Sequence, residues 1–133
     1  MRGLLVAALV AGSLAACGDG AEWRAVGEAE GTVIAVRPAP VREIGPGVYR
    51  GWERATVPGG LPFTGDHRYA LVDYDCEGRR LRLVQYFEAP APDEQAAGLR
   101  PMAAWTAVRT GDLGEKRLNG ACALFRAPAG EGG

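Results

Sequence analysis

The stretch HRYALVDYDCEGRRLRLVQYFEAP, residues 67–90, constrains the fold more than any other, because it spells out its own strand register. Tyr69 to Asp75 alternates, Glu77-Gly78 is a turn signal, and Arg80 to Glu88 alternates again. With Glu77 and Gly78 as the two turn residues, Cys76 faces Arg79, Asp75 faces Arg80, Tyr74 faces Leu81, Asp73 faces Arg82 and Val72 faces Leu83. Val72, Tyr74, Leu81 and Leu83 then share one face with Cys76, and two Asp–Arg pairs occupy the other. Each opposed pair is worth about 0.2–1 kcal/mol. A slip of one residue sets Asp against Leu, so the pattern selects its own pairing. Glu suits a positive-φ turn position less well than Asn or Asp, and a slightly longer turn also fits.

The chain opens with Met1-Arg2 and an apolar run from Leu4 to Ala16, about 13 residues. A membrane-spanning helix needs about 17–25, so the run predicts a signal peptide over residues 1–16 rather than an anchor. Leu14-Ala15-Ala16-Cys17 matches the bacterial lipobox, Leu-(Ala/Ser)-(Gly/Ala)-Cys, at every position. That resemblance implies a diacylglyceryl group on the Cys17 thiol, cleavage before it, and attachment through lipid. The competing reading is an ordinary secretory signal cleaved after Ala15, which leaves Cys17 without a purpose. Several acyl chains at about 0.8 kcal/mol per buried CH₂ hold a protein on a membrane for good. Gly18, rather than Asp, follows the cysteine, which in such lipoproteins favours the outer membrane, periplasmic or surface face.

From Cys17 onward 117 residues remain, enough for one domain with a true core. Fourteen basic and 16 acidic residues leave a charge near −2, which argues against nucleic-acid binding. With Cys17 assigned to lipid, Cys76 and Cys122 form an even pair in an oxidising compartment. A bond between them closes a loop of about 46 residues and is worth about 4 kcal/mol in the chain-entropy account. Two free buried thiols or a metal site are the alternatives. A metal site is poorly served, since His67 is the only histidine and no Cys-x-x-Cys occurs.

Residues 17–21 read as lipidated N-terminus and tether, and residues 22–126 as the domain. Strands are predicted over 22–26, 32–36 and 48–57, with turns at 27–31 and 44–47 and a loop from Pro58. Residues 91–98 read as loop and 103–109, with Trp105, as the last strand. Asp112 then caps a helix, with Glu115 three residues on. Leu118, Ala121, Cys122 and Phe125 fall on one face of it, with Cys122 in the middle. Gly114 and Gly120 weaken it. Residues 127–133 read as a disordered tail.

Several of these segments resemble the surface-adhesin protein E family of bacterial envelope lipoproteins. Glu22-Trp23-Arg24-Ala25-Val26-Gly27-Glu28 is similar to the family's opening Trp-x-x-(Val/Ile)-Gly-Glu, and Val48-Tyr49-Arg50-Gly51-Trp52 to its Val-x-Val-Trp strand. Tyr74-Asp75-Cys76 with Arg79-Arg80-Leu81-Arg82 resembles the family's Asp-Cys segment, and Trp105 with the helix ending at Cys122 resembles its C-terminal part. The second strand departs, reading Arg37-Pro38-Ala39-Pro40-Val41 where the family has Asp-Pro-Ser-Ser-Ile. The resemblance implies an α+β, mostly β fold: an antiparallel sheet of about six strands with a C-terminal helix docked on it and tied by Cys76–Cys122. It also implies binding of extracellular-matrix components such as vitronectin and laminin.

Catalysis has little to stand on, and no cofactor is implied. No serine remains once the leader is removed, and His67 reads as a solvated loop residue. Asp73, Asp75 and Glu77 share a strand face, but Arg80 and Arg82 account for two of them. Arg50, Trp52 and Arg54 form the best binding candidate, because an aromatic flanked by arginines suits sulfated sugars or acidic protein surfaces. The same spacing fits Trp52 in the core with the arginines reaching past it. The reverse face, Gly51, Glu53 and Ala55, looks less like core and favours that second reading. The expectation is a non-enzymatic adhesin-like lipoprotein with a protein or matrix partner. The alternative is a structural component facing the periplasm.

Overall fold

The structure, a computed structural model, describes residues 23–61 and 65–126. The expected signal peptide, the expected lipidation site Cys17 with its tether, and the tail 127–133 lie outside the described residues.

Seven strands form one antiparallel sheet with the order β1-β2-β4-β5-β6-β7. β1 (Arg24–Ala29) and β2 (Thr32–Val36) make the first hairpin. Its turn residues Glu30 and Gly31 have φ of 53° and 81°, the pair of positive values that a two-residue hairpin turn demands. The first strand therefore runs through Gly27 and Glu28, where the sequence predicts a turn. A bulge between Ala25 and Gly27 accommodates it.

β3 (Arg42–Gly45) was not foreseen; it shares one edge of β4 (Val48–Leu61) with β2. β4 also continues past Val57 through the stretch read as loop. Its other edge carries β5 (Gly65–Asp75), and β6 (Arg80–Phe87) completes the central hairpin.

That hairpin keeps the expected register from Val72–Leu83 to Asp75–Arg80. The turn is longer than two residues: 76–79 form it, Arg79 takes the positive φ of 57°, and Cys76 does not pair with Arg79 in the ladder. Asp75 holds it closed, its Oδ1 accepting the Gly78 N–H at 2.8 Å. Further along, Leu71 faces Gln85, so one extra residue bulges from β6.

Both sheet faces are covered. On one, α2 (Leu113–Phe125) sets Leu118, Ala121, Cys122 and Phe125 against Val36, Val72, Tyr74 and Leu81. The Cys76–Cys122 disulfide ties this helix to the end of β5. Asp112 is its N-cap, Oδ1 accepting the Glu115 N–H at 2.8 Å. Glu115 reaches back one residue further than a capping box requires, accepting from the Gly111 N–H at 3.1 Å. Gly51, Glu53 and Ala55 lie on this helix-covered face; a Cβ on Gly51 would stand 2.9 Å from the Phe125 ring. The face that looked least like core is the one on which the helix docks.

On the other face, Trp52, Leu71, Val84 and Ala96 form a second core. Ala96 belongs to α1 (Asp93–Ala97), a short helix inside the stretch read as loop. The last strand shrinks to β7 (Thr106–Ala107), which pairs with Arg80 and Leu81. The rest of the 103–109 segment runs beside β6 as an edge, with the Ala103 N–H donating to the Leu83 carbonyl at 3.3 Å. None of the helices among the described residues is long and apolar enough to cross a membrane.

Candidate functional site

Arg50, Trp52 and Arg54 do share a face of β4, but they do not form an exposed patch. Trp52 is 3% exposed and stands edge-on to Phe87 at 5.0 Å. Arg50 is 7% exposed and turns inward. Its Nε donates to Asp73 Oδ1 at 2.7 Å, and its Nη1 donates to the carbonyls of Ala96, Ala97 and Leu99 at 3.1, 3.2 and 2.8 Å. The physical cause is α1, which lies across this face and leaves its last carbonyls to be satisfied by a side chain. Only Arg54 remains directed at an aromatic near the surface.

That aromatic is Trp23. The Arg54 guanidinium sits 5.0 Å from the Trp23 ring centre and that of Arg37 at 5.7 Å, while Tyr69 packs at 5.6 Å. β1 pairs Arg24 with Val36, which carries Trp23 to the level of Arg37, and β2 pairs Ala35 with Arg54. Among the described residues neither Arg37 nor Arg54 has a carboxylate partner, and the Nε of each is buried without a hydrogen-bond acceptor. Cation–π contacts contribute about 0.5–1 kcal/mol each at exposed sites, less than a paired charge-assisted hydrogen bond. The two cations are thus incompletely satisfied. An aromatic flanked by arginines exists as the sequence suggested, but on Trp23 rather than Trp52. The 22–36 hairpin carries part of the signal: its two-residue turn alone sets Trp23 opposite Pro38, and the bulge between Ala25 and Gly27 shifts it by one residue to the level of Arg37.

The acidic residues of the hairpin are consumed internally. Asp73 is fully buried and accepts from Arg50 and from Arg82, the latter at 2.8 Å; Asp75 accepts from Arg80 at 2.7 Å. Trp105 lies under Arg80 and Arg82 at 4.4 and 4.1 Å. Among the described residues no cluster of three His, Cys, Asp or Glu side chains could hold a metal. His67 is a half-buried strand residue rather than a loop one, with Nδ1 3.0 Å from Thr56 Oγ1.

On the helix-covered face, beyond the N-terminal turn of α2, a cleft of about 560 Å³ opens. Ile34, Ala55, Ala70, Leu81 and Leu83 make its floor, and the 103–108 segment and α2 wall it. At one side buried Tyr74 and Glu53 close it together with the half-buried Arg117: Tyr74 Oη donates to Glu53 Oε2 at 2.8 Å, and Arg117 Nε donates to both Glu53 oxygens at 3.0 and 3.1 Å. Burial, reinforced by the Glu53 charge, pushes the Tyr74 hydroxyl well above its ordinary range. Burial works against the Arg117 charge, but Glu53 outweighs it and the guanidinium stays ionised. At the mouth Arg68 lies over the Tyr86 ring at 4.1 Å.

No family model, no curated protein and no solved structure matches the chain.

Proposed function

We propose that this protein is an exported, lipid-anchored binding module without catalytic activity, holding acidic or sulfated partner surfaces at the bacterial envelope. The observation that carries the reading is Trp23 flanked by Arg37 and Arg54, two cations without carboxylate partners among the described residues. Partly exposed guanidinium groups without a carboxylate partner are suited to sulfate or carboxylate oxygens brought by a partner. The lipobox at Leu14–Cys17 supports the anchor, and the pairing of Cys76 with Cys122 leaves Cys17 free for lipid. Adhesion to matrix components is the function that the resemblance to the surface-adhesin protein E family adds.

One observation favours the periplasm-facing alternative. Trp23 follows Cys17 by only six residues, a reach of about 20 Å at full extension, so the cluster stays near the anchored end. Protease shaving of intact cells separates the two: cleavage of the domain supports the surface reading, and protection supports the envelope component. The binding claim is tested with immobilised heparin, vitronectin and laminin. The protein should bind at least one of them in a salt-sensitive manner, and the Arg37→Gln/Arg54→Gln double variant should bind about tenfold more weakly. Binding that ignores both substitutions removes the cluster from the reading. Palmitate labelling that survives Cys17→Ser removes the anchor.

A further inference from the structure

The cleft on the helix-covered face carries an inference independent of the Trp23 cluster, which lies on the opposite side of the sheet. We propose that it binds a medium-chain fatty carboxylate, with the chain along the sheet floor and the carboxylate at Arg68.

Small residues make the space. The opposite face is filled with Trp23, Trp52, Tyr69 and Phe87, whereas the cleft floor has Ala55 and Ala70 at the neighbouring positions of β4 and β5. A volume of about 560 Å³ lies within the range of roughly 300–1,000 Å³ typical of small-ligand pockets. The floor crosses β2, β4, β5 and β6. Three inter-strand steps of about 4.8 Å make it about 14 Å long, an elongated apolar surface suited to one chain rather than a compact ring system.

The charge inventory sets the sign of the head group. Two carboxylates line the cleft, and both are committed. Glu53 accepts from Tyr74 and Arg117, and Asp112 accepts from the Glu115 and Arg109 N–H groups as the cap of α2. A cationic ligand would find no free acceptor in either. Arg68 is the uncommitted charge: among the described residues it has no ion pair, and its one partner is the Tyr86 ring beneath it. Tyr86 is itself 48% exposed, an aromatic shelf at the opening rather than part of the core. An anion at the mouth with an apolar chain on the floor satisfies every group that the cleft leaves unsatisfied.

The test uses the full chain carrying Cys17→Ser, prepared without detergent, and calorimetric titration below the micelle threshold. Dodecanoate should bind at one site per chain, dodecan-1-ol at least tenfold more weakly, and dodecyltrimethylammonium not measurably. Arg68→Ala should weaken dodecanoate about tenfold while leaving dodecan-1-ol unchanged, and Arg68→Lys should restore most of the loss. Ala70→Trp should abolish binding of both by filling the floor, with retention of the disulfide and of the circular dichroism spectrum confirming the fold. Absence of dodecanoate binding, equal affinity for the alcohol, or binding that survives Ala70→Trp would overturn the proposal. So would a monoacyl phosphatidylglycerol that binds tenfold more tightly than dodecanoate, since it would assign the cleft to membrane lipid.

Discussion

Arg50 and Asp73 face each other across β4 and β5 and bury a two-pronged ion pair, Nε to Oδ1 at 2.7 Å and Nη2 to Oδ2 at 3.1 Å. The remaining guanidinium nitrogen closes the C-terminal end of α1 through three backbone carbonyls. One side chain thus neutralises a fully buried carboxylate and satisfies orphan helix acceptors. Removing it leaves Asp73 with Arg82 alone, and the loss of one partner from a buried pair costs about 3–5 kcal/mol. Arg50→Ala should lower stability by about 3 kcal/mol or more in urea unfolding. Arg50→Lys should recover little, because an ammonium cannot serve the carboxylate and three carbonyls together. A lysine variant as stable as the parent would show that charge alone matters at this position.

Arg50 also shows where sequence reading stops. Its position on a strand face beside Trp52 and Arg54 was legible, since strand period is fixed by the backbone. Its direction was not, because α1 is five residues long and sits among Pro90, Pro92 and Gly98, too short to show a period. The central register, the capped helix and the cysteine pair were readable for the opposite reason. Alternating Val72, Tyr74, Leu81 and Leu83 opposite charged neighbours leaves one pairing, and the stripe from Leu118 to Phe125 leaves one buried face. The cleft left no such trace: it is made by alanines, whose small size becomes informative only once their neighbours across the sheet are known.

Asp75 sets an acid limit on stability. Burial works to raise its pKa, but the Gly78 N–H and the Arg80 guanidinium outweigh that and hold it below the ordinary 3.8. A depressed folded pKa gives stability that is complete above the unfolded value and is lost as pH falls through the folded one. The urea midpoint should therefore decline as pH is lowered from about 5 toward 2, within the range over which such carboxylates protonate. Asp75→Asn, which keeps the acceptor for Gly78, should be less stable at pH 7 and show a shallower decline. An unchanged slope would place the acid sensitivity elsewhere.

Gly120 is a contact requirement inside a helix. A Cβ there would stand 2.5 Å from Cβ and Cγ1 of Val26 on β1, so the helix backbone rests against the sheet at that point. In an isolated helix Gly→Ala is favourable by about 1 kcal/mol. In the folded protein the overlap forces the helix away, an overpacking cost of about 1–3 kcal/mol. Gly120→Ala should raise the helicity of a peptide covering residues 112–126 yet lower the melting temperature of the domain. A variant that gains stability in both contexts would show that the helix can shift freely.

The Cys76–Cys122 bond joins the start of the central turn to the middle of the apolar stripe of α2. Among the other links that hold that helix are the Arg117–Glu53 ion pair, with Nη2 and Oε1 2.9 Å apart, and Phe125 packed edge-on against Tyr74 at 5.3 Å. The sheet, by contrast, has a second core on its far side that the helix does not touch. Removing a native disulfide from a small exported domain costs about 2–5 kcal/mol. Cys122→Ala should lose that much, and the loss should be uneven. Amide exchange should accelerate first from Leu113 to Phe125, while β4 and β5 keep their protection, since local opening follows the least supported unit. Arg117→Ala in the same background should release the helix further, because the ion pair and the disulfide hold the same element. Denatured protein carrying Cys17→Ser should titrate no free thiol. Two titratable thiols, or exchange that accelerates equally in helix and sheet, would show that the bond does not fasten α2 to the sheet.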